Sequence, residues 1–71
     1  MSSFGKNLRQ IREQCGISQQ ELAEMVGTTQ PRISEWERDR VEPSLYNILK
    51  LIEILHVSFD ELTDDIQLRE H

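Results

Sequence analysis

Residues 18–38, SQQELAEMVGTTQPRISEWER, decide the fold of this 71-residue chain. Ser18 followed three positions later by Glu21 forms a capping box, which predicts that a helix begins directly after the serine. Gly27 predicts a left-handed end to that helix, because glycine adopts positive φ without a steric cost. Thr29 is a typical N-cap residue, so a second helix is expected after it. The stretch therefore predicts two short helices joined by a tight turn.

The second of these helices has an inward and an outward side. Ile33 and Trp36, three positions apart, are predicted to face inward, with base stacking as the alternative for the tryptophan. Pro31 fits the first turn, where its missing N–H had no partner in any case. The other faces carry amide, guanidinium, hydroxyl and carboxylate groups, which is the chemistry needed to contact base edges. These outward residues are Gln30, Arg32, Ser34, Glu35 and Arg38.

With these residues in view, the chain resembles the phage-repressor and Cro type of helix-turn-helix DNA-binding domain, also called Xre-like. Four runs stand at the family's usual spacing: ISQQELA, ISEWE, Pro43-Ser44 and VSFDEL. The resemblance covers residues 4–63. It implies an all-α, compact five-helix bundle of the lambda-repressor-like type, in which helices 2 and 3 form the helix-turn-helix.

The resemblance also implies how the helices hold together. A small residue lets the two helices of the motif approach each other, a glycine makes the turn between them, and two apolar residues pack the helices together. These residues are Ala23, Gly27, Ile33 and Trp36. In the family an arginine of the first helix pairs with a glutamate at the end of the recognition helix, which are Arg12 and Glu37 here; the alternative is a solvated arginine. Asp39 and His56 stand where the family often has glycine, and both residue types tolerate positive φ.

The motif supplies candidates for contacts to DNA. In its geometry, the N-terminal residues of the recognition helix meet base edges in the major groove. Arg32 suits guanine, Gln30 suits adenine or a phosphate, and Glu35 suits a cytosine amino group. Pro31 offers an apolar surface to a thymine methyl. Taken alone, these are ordinary exposed residues. The candidates for phosphate contacts are Gln19, Ser34, Arg38, Arg40, Ser44 and Asn47.

Three further helices complete the predicted bundle. Residues 3–15 form the first, with Cys15 packed at the end of its apolar face. Residues 45–55 form the fourth, which is apolar over most of its circumference and is predicted to be central. Its inward stripe is expected to comprise Leu45, Ile48, Ile52 and Leu55. A second capping box, in the VSFDEL run, predicts a short fifth helix anchored by Phe59 and Leu62.

Composition bounds the class of protein. Residues 1–71 are expected to form a single domain, ordered over about 3–63 and followed by a tail at 64–71. The net charge of −5 counts against nucleic acid, but residues 1–40 are neutral overall and the whole deficit lies in residues 41–71. A locally basic face can therefore still bind phosphates.

Several classes of function find no support in the sequence. The single cysteine cannot form an internal disulfide, which suits a cytoplasmic protein. The chain shows neither a signal peptide nor a membrane-spanning segment. Two histidines and one cysteine lack zinc-ligand spacing, so neither metal nor cofactor is expected. No nucleophile–base pair or phosphate-binding loop indicates an enzyme.

The sequence therefore predicts a transcriptional regulator that binds double-stranded DNA as a homodimer on a two-fold-symmetric operator. A repressor, a restriction–modification controller and an antitoxin-like autoregulator all fit this description. The dimer interface is expected to involve Ile54, Phe59, Ile66 and Leu68, with Tyr46 as a further candidate. The alternative is a helix-turn-helix module that binds protein and not DNA, which the acidic balance favours.

Overall fold

The computed structural model describes residues 4–63, and this part of the chain is helical with no strand. Its five helices are α1 (Phe4–Gln14), α2 (Gln19–Val26), α3 (Gln30–Glu37), α4 (Leu45–Leu55) and α5 (Phe59–Leu62). The predicted all-α, five-helix bundle is confirmed, and the starts of α2, α3 and α4 fall where the sequence places them. None of these helices combines the length and the hydropathy needed to cross a membrane.

Hydroxyl side chains begin four of the five helices. Ser18 Oγ accepts the N–H of Glu21 at 3.0 Å, and Glu21 Oε1 accepts the N–H of Ser18 at 2.8 Å, so the predicted capping box is present. Thr29, Ser44 and Ser58 accept a backbone N–H in the same way at the starts of α3, α4 and α5. Each cap satisfies a backbone donor that the helix cannot, and its loss costs about 1 kcal/mol.

Left-handed residues make the turns at the ends of helices. Gly27 has φ of 90° and its N–H donates to Ala23 O at 2.8 Å, which ends α2 as predicted. Asp39 and His56 each have φ of 57°, so the two residues that replace the family's glycines do adopt the conformation required. Asp39 also accepts the N–H of Gly5 with its carboxylate at 3.0 Å, and so satisfies one backbone donor at the start of α1.

The core draws at least one fully buried side chain from every helix. Ile33 and Trp36 both face inward, so the prediction that the tryptophan packs in the core is confirmed. The small Ala23 is fully buried in α2, the helix that packs on α3. Within residues 4–63, the buried apolar residues are Leu8, Leu22, Ala23, Val26, Ile33, Trp36, Leu51, Leu55 and Leu62.

The start of α1 crosses the end of α3 at very close range. A Cβ atom on Gly5 would lie 2.6 Å from Trp36 O and would also overlap Glu37 O. Both obstacles are backbone atoms, which cannot swing away as a flexible side chain can. Only glycine therefore allows this approach, and the sequence analysis did not assign Gly5 that role.

The orientation predicted for α4 is only partly correct. The helix packs on α2 through Leu51, which was predicted only to flank the stripe, and Leu55 is buried as predicted. The rest of the predicted stripe turns away from the core, since Leu45 is 66% exposed and Ile48 and Ile52 are only partly buried. The helix is therefore not central in the bundle. Because it is apolar over most of its circumference, periodicity alone does not show which side meets the core.

Cys15 and Phe59 are also more exposed than predicted. The helix α1 ends at Gln14, so Cys15 lies in the following turn with its side chain in solvent. In α5, Leu62 is fully buried, whereas Phe59 is half-exposed. This helix has only four residues, and Leu62 alone anchors it in the core.

Candidate nucleic-acid interface

A buried ion pair joins α1 to the end of α3. Arg12 Nε lies 2.6 Å from Glu37 Oε2, and Arg12 Nη2 lies 3.3 Å from Glu37 Oε1. The two side chains are 10% and 2% exposed. Arg12 Nη1 donates to Ile17 O at 2.8 Å. The predicted pair is confirmed, and the alternative of a solvated arginine is wrong.

The ion pair keeps Arg12 charged. Hydrogen bonding to Glu37 raises the pKa of Arg12 above its ordinary value, and this outweighs the opposing effect of burial. A raised pKa contributes stability that is present below the unfolded-state pKa and is lost only as pH rises through the folded-state value. For an arginine that range lies far above neutrality, so Arg12 gives no pH dependence under ordinary conditions.

Two glutamines extend this ion pair to the start of α3. Glu37 Oε1 also accepts Gln19 Nε2 at 2.9 Å, and Gln19 Oε1 accepts Gln30 Nε2 at 2.7 Å. Gln19 is the first residue of α2 and Gln30 is the first residue of α3. We call these four side chains, Arg12, Glu37, Gln19 and Gln30, the polar bridge. It ties both ends of α3 to α1 and α2, and it orients Gln30 before any ligand binds.

The outer face of α3 carries a second pair of charges. Arg32 Nε lies 3.5 Å from Glu35 Oε1, and both side chains are about half-exposed. An exposed pair of this kind is worth about 0–1 kcal/mol, so opening it costs little. Arg32 and Glu35 therefore remain available to other partners. Pro31 is exposed beside them in the first turn.

An open cleft of about 320 Å³ lies beside the outer face of α3. Glu37 neutralises Arg12, so the net positive charge of the cleft comes from Arg9 and Arg38. Arg9 also forms an exposed ion pair with Glu13, in which Arg9 Nε lies 3.3 Å from Glu13 Oε2. Guanidinium, hydroxyl and amide groups around one opening suit an oxyanion such as phosphate. The lining residues are Arg9, Arg12, Gln19, Ser34, Glu37 and Arg38.

The six phosphate candidates fall into two groups. Gln19, Ser34 and Arg38 come together around the cleft. The other three lie outside it. Arg40 is exposed just beyond α3, Ser44 Oγ accepts the N–H of Asn47 at 3.2 Å as the cap of α4, and Asn47 is partly buried. The last group is Arg40, Ser44 and Asn47.

Two further residues that position the motif had no role in the sequence analysis. Lys50 Nζ donates to Val26 O at 2.7 Å and so ties α4 to the end of α2. Asn7 Nδ2 donates to Leu62 O at 3.0 Å and so ties α1 to α5. Both partners are backbone carbonyls, which no residue pattern reveals. For Gly5 there was a usable signal, since a glycine inside a helical segment indicates a close approach.

The candidates for the dimer interface lie away from the cleft, or outside the described residues. Ile54 is partly buried and packs against the core of its own chain, whereas Phe59 is half-exposed. Ile66 and Leu68 lie outside the described residues. Within residues 4–63, His, Cys, Asp and Glu side chains form no group of three that could hold a metal ion.

Comparisons with known proteins find the same architecture. The helix-turn-helix family model matches residues 8–62. The HTH-type transcriptional regulator PuuR of Escherichia coli (strain K12) is 40% identical over 57 residues, which is 80% of this chain and 31% of PuuR. The chain thus spans about a third of the length of this curated relative.

Two solved structures are similar over nearly the whole chain. The c2 repressor of Salmonella phage P22, crystallised in complex with synthetic operator 9T, superposes with a TM-score of 0.84 at 36% identity, covering 90% of this chain and 97% of that one. The restriction-modification controller protein C.AhdI from Aeromonas hydrophila gives a TM-score of 0.78 at 39% identity, covering 83% and 89%. The chain therefore belongs to the helix-turn-helix family, in its phage-repressor and Cro branch.

Proposed function

We propose that this chain is the sequence-specific DNA-binding domain of a transcriptional regulator, with α3 as its recognition helix in the major groove. The observation that carries the proposal is the polar bridge. It holds Gln30 at the N-terminal end of α3, next to the exposed Arg32 and Glu35. Because Gln19 and Gln30 are partly buried and hydrogen-bonded to each other, the bridge fixes the orientation of the Gln30 side chain.

Gln30 has the hydrogen-bonding groups that adenine requires. One of its Nε2 hydrogens is donated to Gln19, and within residues 4–63 its Oε1 accepts no hydrogen bond. An amide that keeps one oxygen and one N–H available can pair with N6 and N7 of adenine. Arg32 can bind guanine through its guanidinium group, and Glu35 can accept from cytosine N4. Pro31 offers its ring to a thymine methyl.

The cleft supplies the phosphate contact that sets the register of α3. A backbone phosphate bound there would meet the positive charges of Arg9 and Arg38, and the polar groups of Gln19 and Ser34. Phosphate contacts position a protein on the duplex, and base contacts then specify the sequence. Arg40, Ser44 and Asn47 would contact the backbone farther along. The net charge of −5 does not oppose this, because the excess acids lie beyond residue 40.

A single domain of residues 1–71 reads only a few base pairs, so the proposal includes a homodimer on a two-fold-related operator. The two recognition helices would lie about 34–36 Å apart, one turn of the duplex. A repressor, a restriction–modification controller and an antitoxin-like autoregulator remain equally compatible. The P22 repressor crystallised with its synthetic operator and the controller protein both support this class. The proposal places the chain in the cytoplasm, with no catalytic activity.

The experiment is selection of bound duplexes from a random pool at physiological salt. We expect a palindromic site with half-sites one helical turn apart. The matched control is Q30A/R32A, which removes two base contacts and leaves the buried ion pair intact, and it should recover only background. Recovery of background by folded wild-type protein would contradict the proposal. The protein-interaction module, which the net charge of −5 favours, would then be the better account.

A further inference from the structure

The ammonium group of Lys50 contacts the turn of the helix-turn-helix. Its Nζ donates to Val26 O, in the last residue of α2, at 2.7 Å. A Cβ atom built on Gly27, the left-handed residue of the turn, would lie 3.7 Å from the same Nζ. Lys50 belongs to α4 and is 24 positions from Val26 in the chain. A lysine of another helix is thus placed at the point where the chain turns from α2 toward α3.

The end of α2 favours a positive charge that the helix itself does not supply. The last carbonyls of a helix lack partners within it, and they form the negative end of the helix dipole. The last turn of α2 contains no basic residue. The backbone N–H groups of Gly27 and Thr28 both donate to Ala23 O, so they do not serve Val26 O. Lys50 therefore supplies both a donor and a favourable charge at this helix end.

The ring of Tyr46 contacts the same ammonium group. Lys50 Nζ lies 5.0 Å from the centroid of the Tyr46 ring, a distance typical of a cation–π interaction. Tyr46 precedes Lys50 by four positions, so the two side chains share one face of α4. The tyrosine is 68% exposed, whereas Lys50 is partly buried. Held by the ring and by the carbonyl, Lys50 has less rotational freedom than a solvated lysine.

The turn determines where α3 begins. Only three residues separate the last residue of α2 from Gln30, the first residue of α3. Each of them has two soft backbone dihedral angles, so the segment can absorb little of a displacement at Val26. Side chains that bind a ligand must be held within about 0.5 Å of the productive geometry. The position of the turn therefore affects whether Gln30 and Arg32 reach base edges.

We propose that Lys50 is a positioning residue for DNA recognition, which holds the turn so that the start of α3 meets the base edges in register. This inference rests on the proposed function, because Lys50 acts through α3 and makes no contact with DNA itself. Tyr46 keeps the ammonium group in place. Loss of that group should weaken binding to the recognised sequence more than binding to unrelated sequences, since non-specific binding depends on phosphate contacts.

The test compares Lys50→Met with Lys50→Arg. Methionine keeps an unbranched side chain without the charge, whereas arginine can still donate to Val26 O and stack on the ring. Affinity is measured at low temperature for two duplexes, the one selected by wild type and one of unrelated sequence. We expect Lys50→Met to weaken binding to the selected duplex about tenfold, as for the loss of one charge-assisted hydrogen bond, with little change for the unrelated duplex. Lys50→Arg should stay within about threefold of wild type on both.

A control in α5 separates positioning from stability. Leu62→Ala removes a fully buried side chain and should lower the melting temperature at least as much as Lys50→Met. The affinity of the folded Leu62→Ala protein for the selected duplex should nevertheless equal that of wild type. Circular dichroism before each titration shows that the variants are folded.

The ring of Tyr46 gives a second test, which does not depend on the folding of Lys50→Met. Tyr46→Leu removes the ring from an exposed site and should weaken binding to the selected duplex about threefold. Tyr46→Phe keeps the ring and is the matched control, with the affinity of wild type. Equal binding by Tyr46→Leu and Tyr46→Phe would contradict the role given to the ring in holding Lys50.

Three results would overturn the inference. The first is wild-type affinity of Lys50→Met for the selected duplex. The second is an equal loss on both duplexes, which with a salt slope lowered by about one unit would make Lys50 a phosphate contact. The third is a loss in Leu62→Ala as large as that in Lys50→Met, which would reduce the role of Lys50 to stability. If the proposed function fails, wild type selects no duplex; if this inference alone fails, wild type still prefers the selected one.

Discussion

The α2–α3 pair and α4 differ in how much of their apolar surface is buried by the rest of residues 4–63. In the pair, every apolar residue except Met25 and Pro31 is buried, and side chains cap the start of each helix. The buried charges of Arg12 and Glu37 neutralise each other. In α4, the buried side is Leu51 and Leu55, while an equally apolar side faces solvent. The surface of the first region is therefore mostly polar, apart from Met25 and Pro31. The second keeps an apolar surface around Leu45 and Leu49 that the rest of residues 4–63 leaves exposed.

The largest effect is expected where the polar bridge is broken. Glu37→Ala leaves Arg12 buried without its partner, which should lower the free energy of unfolding by about 3–5 kcal/mol. Denaturant melts monitored by circular dichroism measure it. Arg9→Ala is the matched control, because it removes the exposed ion pair between Arg9 and Glu13 from α1, the helix that also carries Arg12. It should cost no more than about 1 kcal/mol.

A double variant separates the effect of the buried charges on stability from the effect of the hydrogen bonds that link Glu37 to Gln19 and Gln30. R12L/E37M removes both buried charges and should recover most of the stability that Glu37→Ala loses. It still lacks the bridge to Gln19 and Gln30, so its affinity for DNA should stay low. If Glu37→Ala costs no more than Arg9→Ala, the bridge does not hold the domain together as described.

Two leucines of α4 give the next test. Leu51→Ala opens a cavity in the core and should cost about 2–5 kcal/mol. Leu45→Ala, on the exposed side, should change the stability of the monomer by less than about 0.5 kcal/mol. Melts at concentrations where the chain is monomeric measure both. Similar losses for the two variants would show that α4 is oriented as the periodicity predicted, and not as in the structure.

The same comparison explains how much the sequence could predict. Caps and turns are local signals, so Ser18, Gly27 and Thr29 placed the helices of the motif correctly. The pairing of Arg12 with Glu37 came from resemblance, since 25 positions separate them. The orientation of α4 depends on the shape of the surface that it packs against, and the sequence of a helix that is apolar on several sides does not indicate which side is buried. Hydrogen bonds to backbone carbonyls, such as that of Lys50, are invisible to residue patterns for the same reason.

At the candidate nucleic-acid interface, the residue types could be predicted from the sequence but their arrangement could not. Three of the predicted phosphate candidates do surround one cleft, because they lie at one end of α2 and along α3. Nothing in the pattern shows that Gln19 reaches both Glu37 and Gln30, since that depends on where the start of α2 lies relative to both ends of α3. Their roles in contacting DNA stay predictions.

The most direct test of the account repeats the duplex selection with Arg32→Ala and Arg38→Ala beside wild type. Arg32→Ala should relax the preference at one position in each half-site and cost about 1–3 kcal/mol of binding free energy there. Arg38→Ala should weaken all sequences alike and lower the salt slope by about one unit, because it removes a phosphate contact. A site whose preferences are unchanged by Arg32→Ala would contradict the claim that the outer face of α3 contacts base edges.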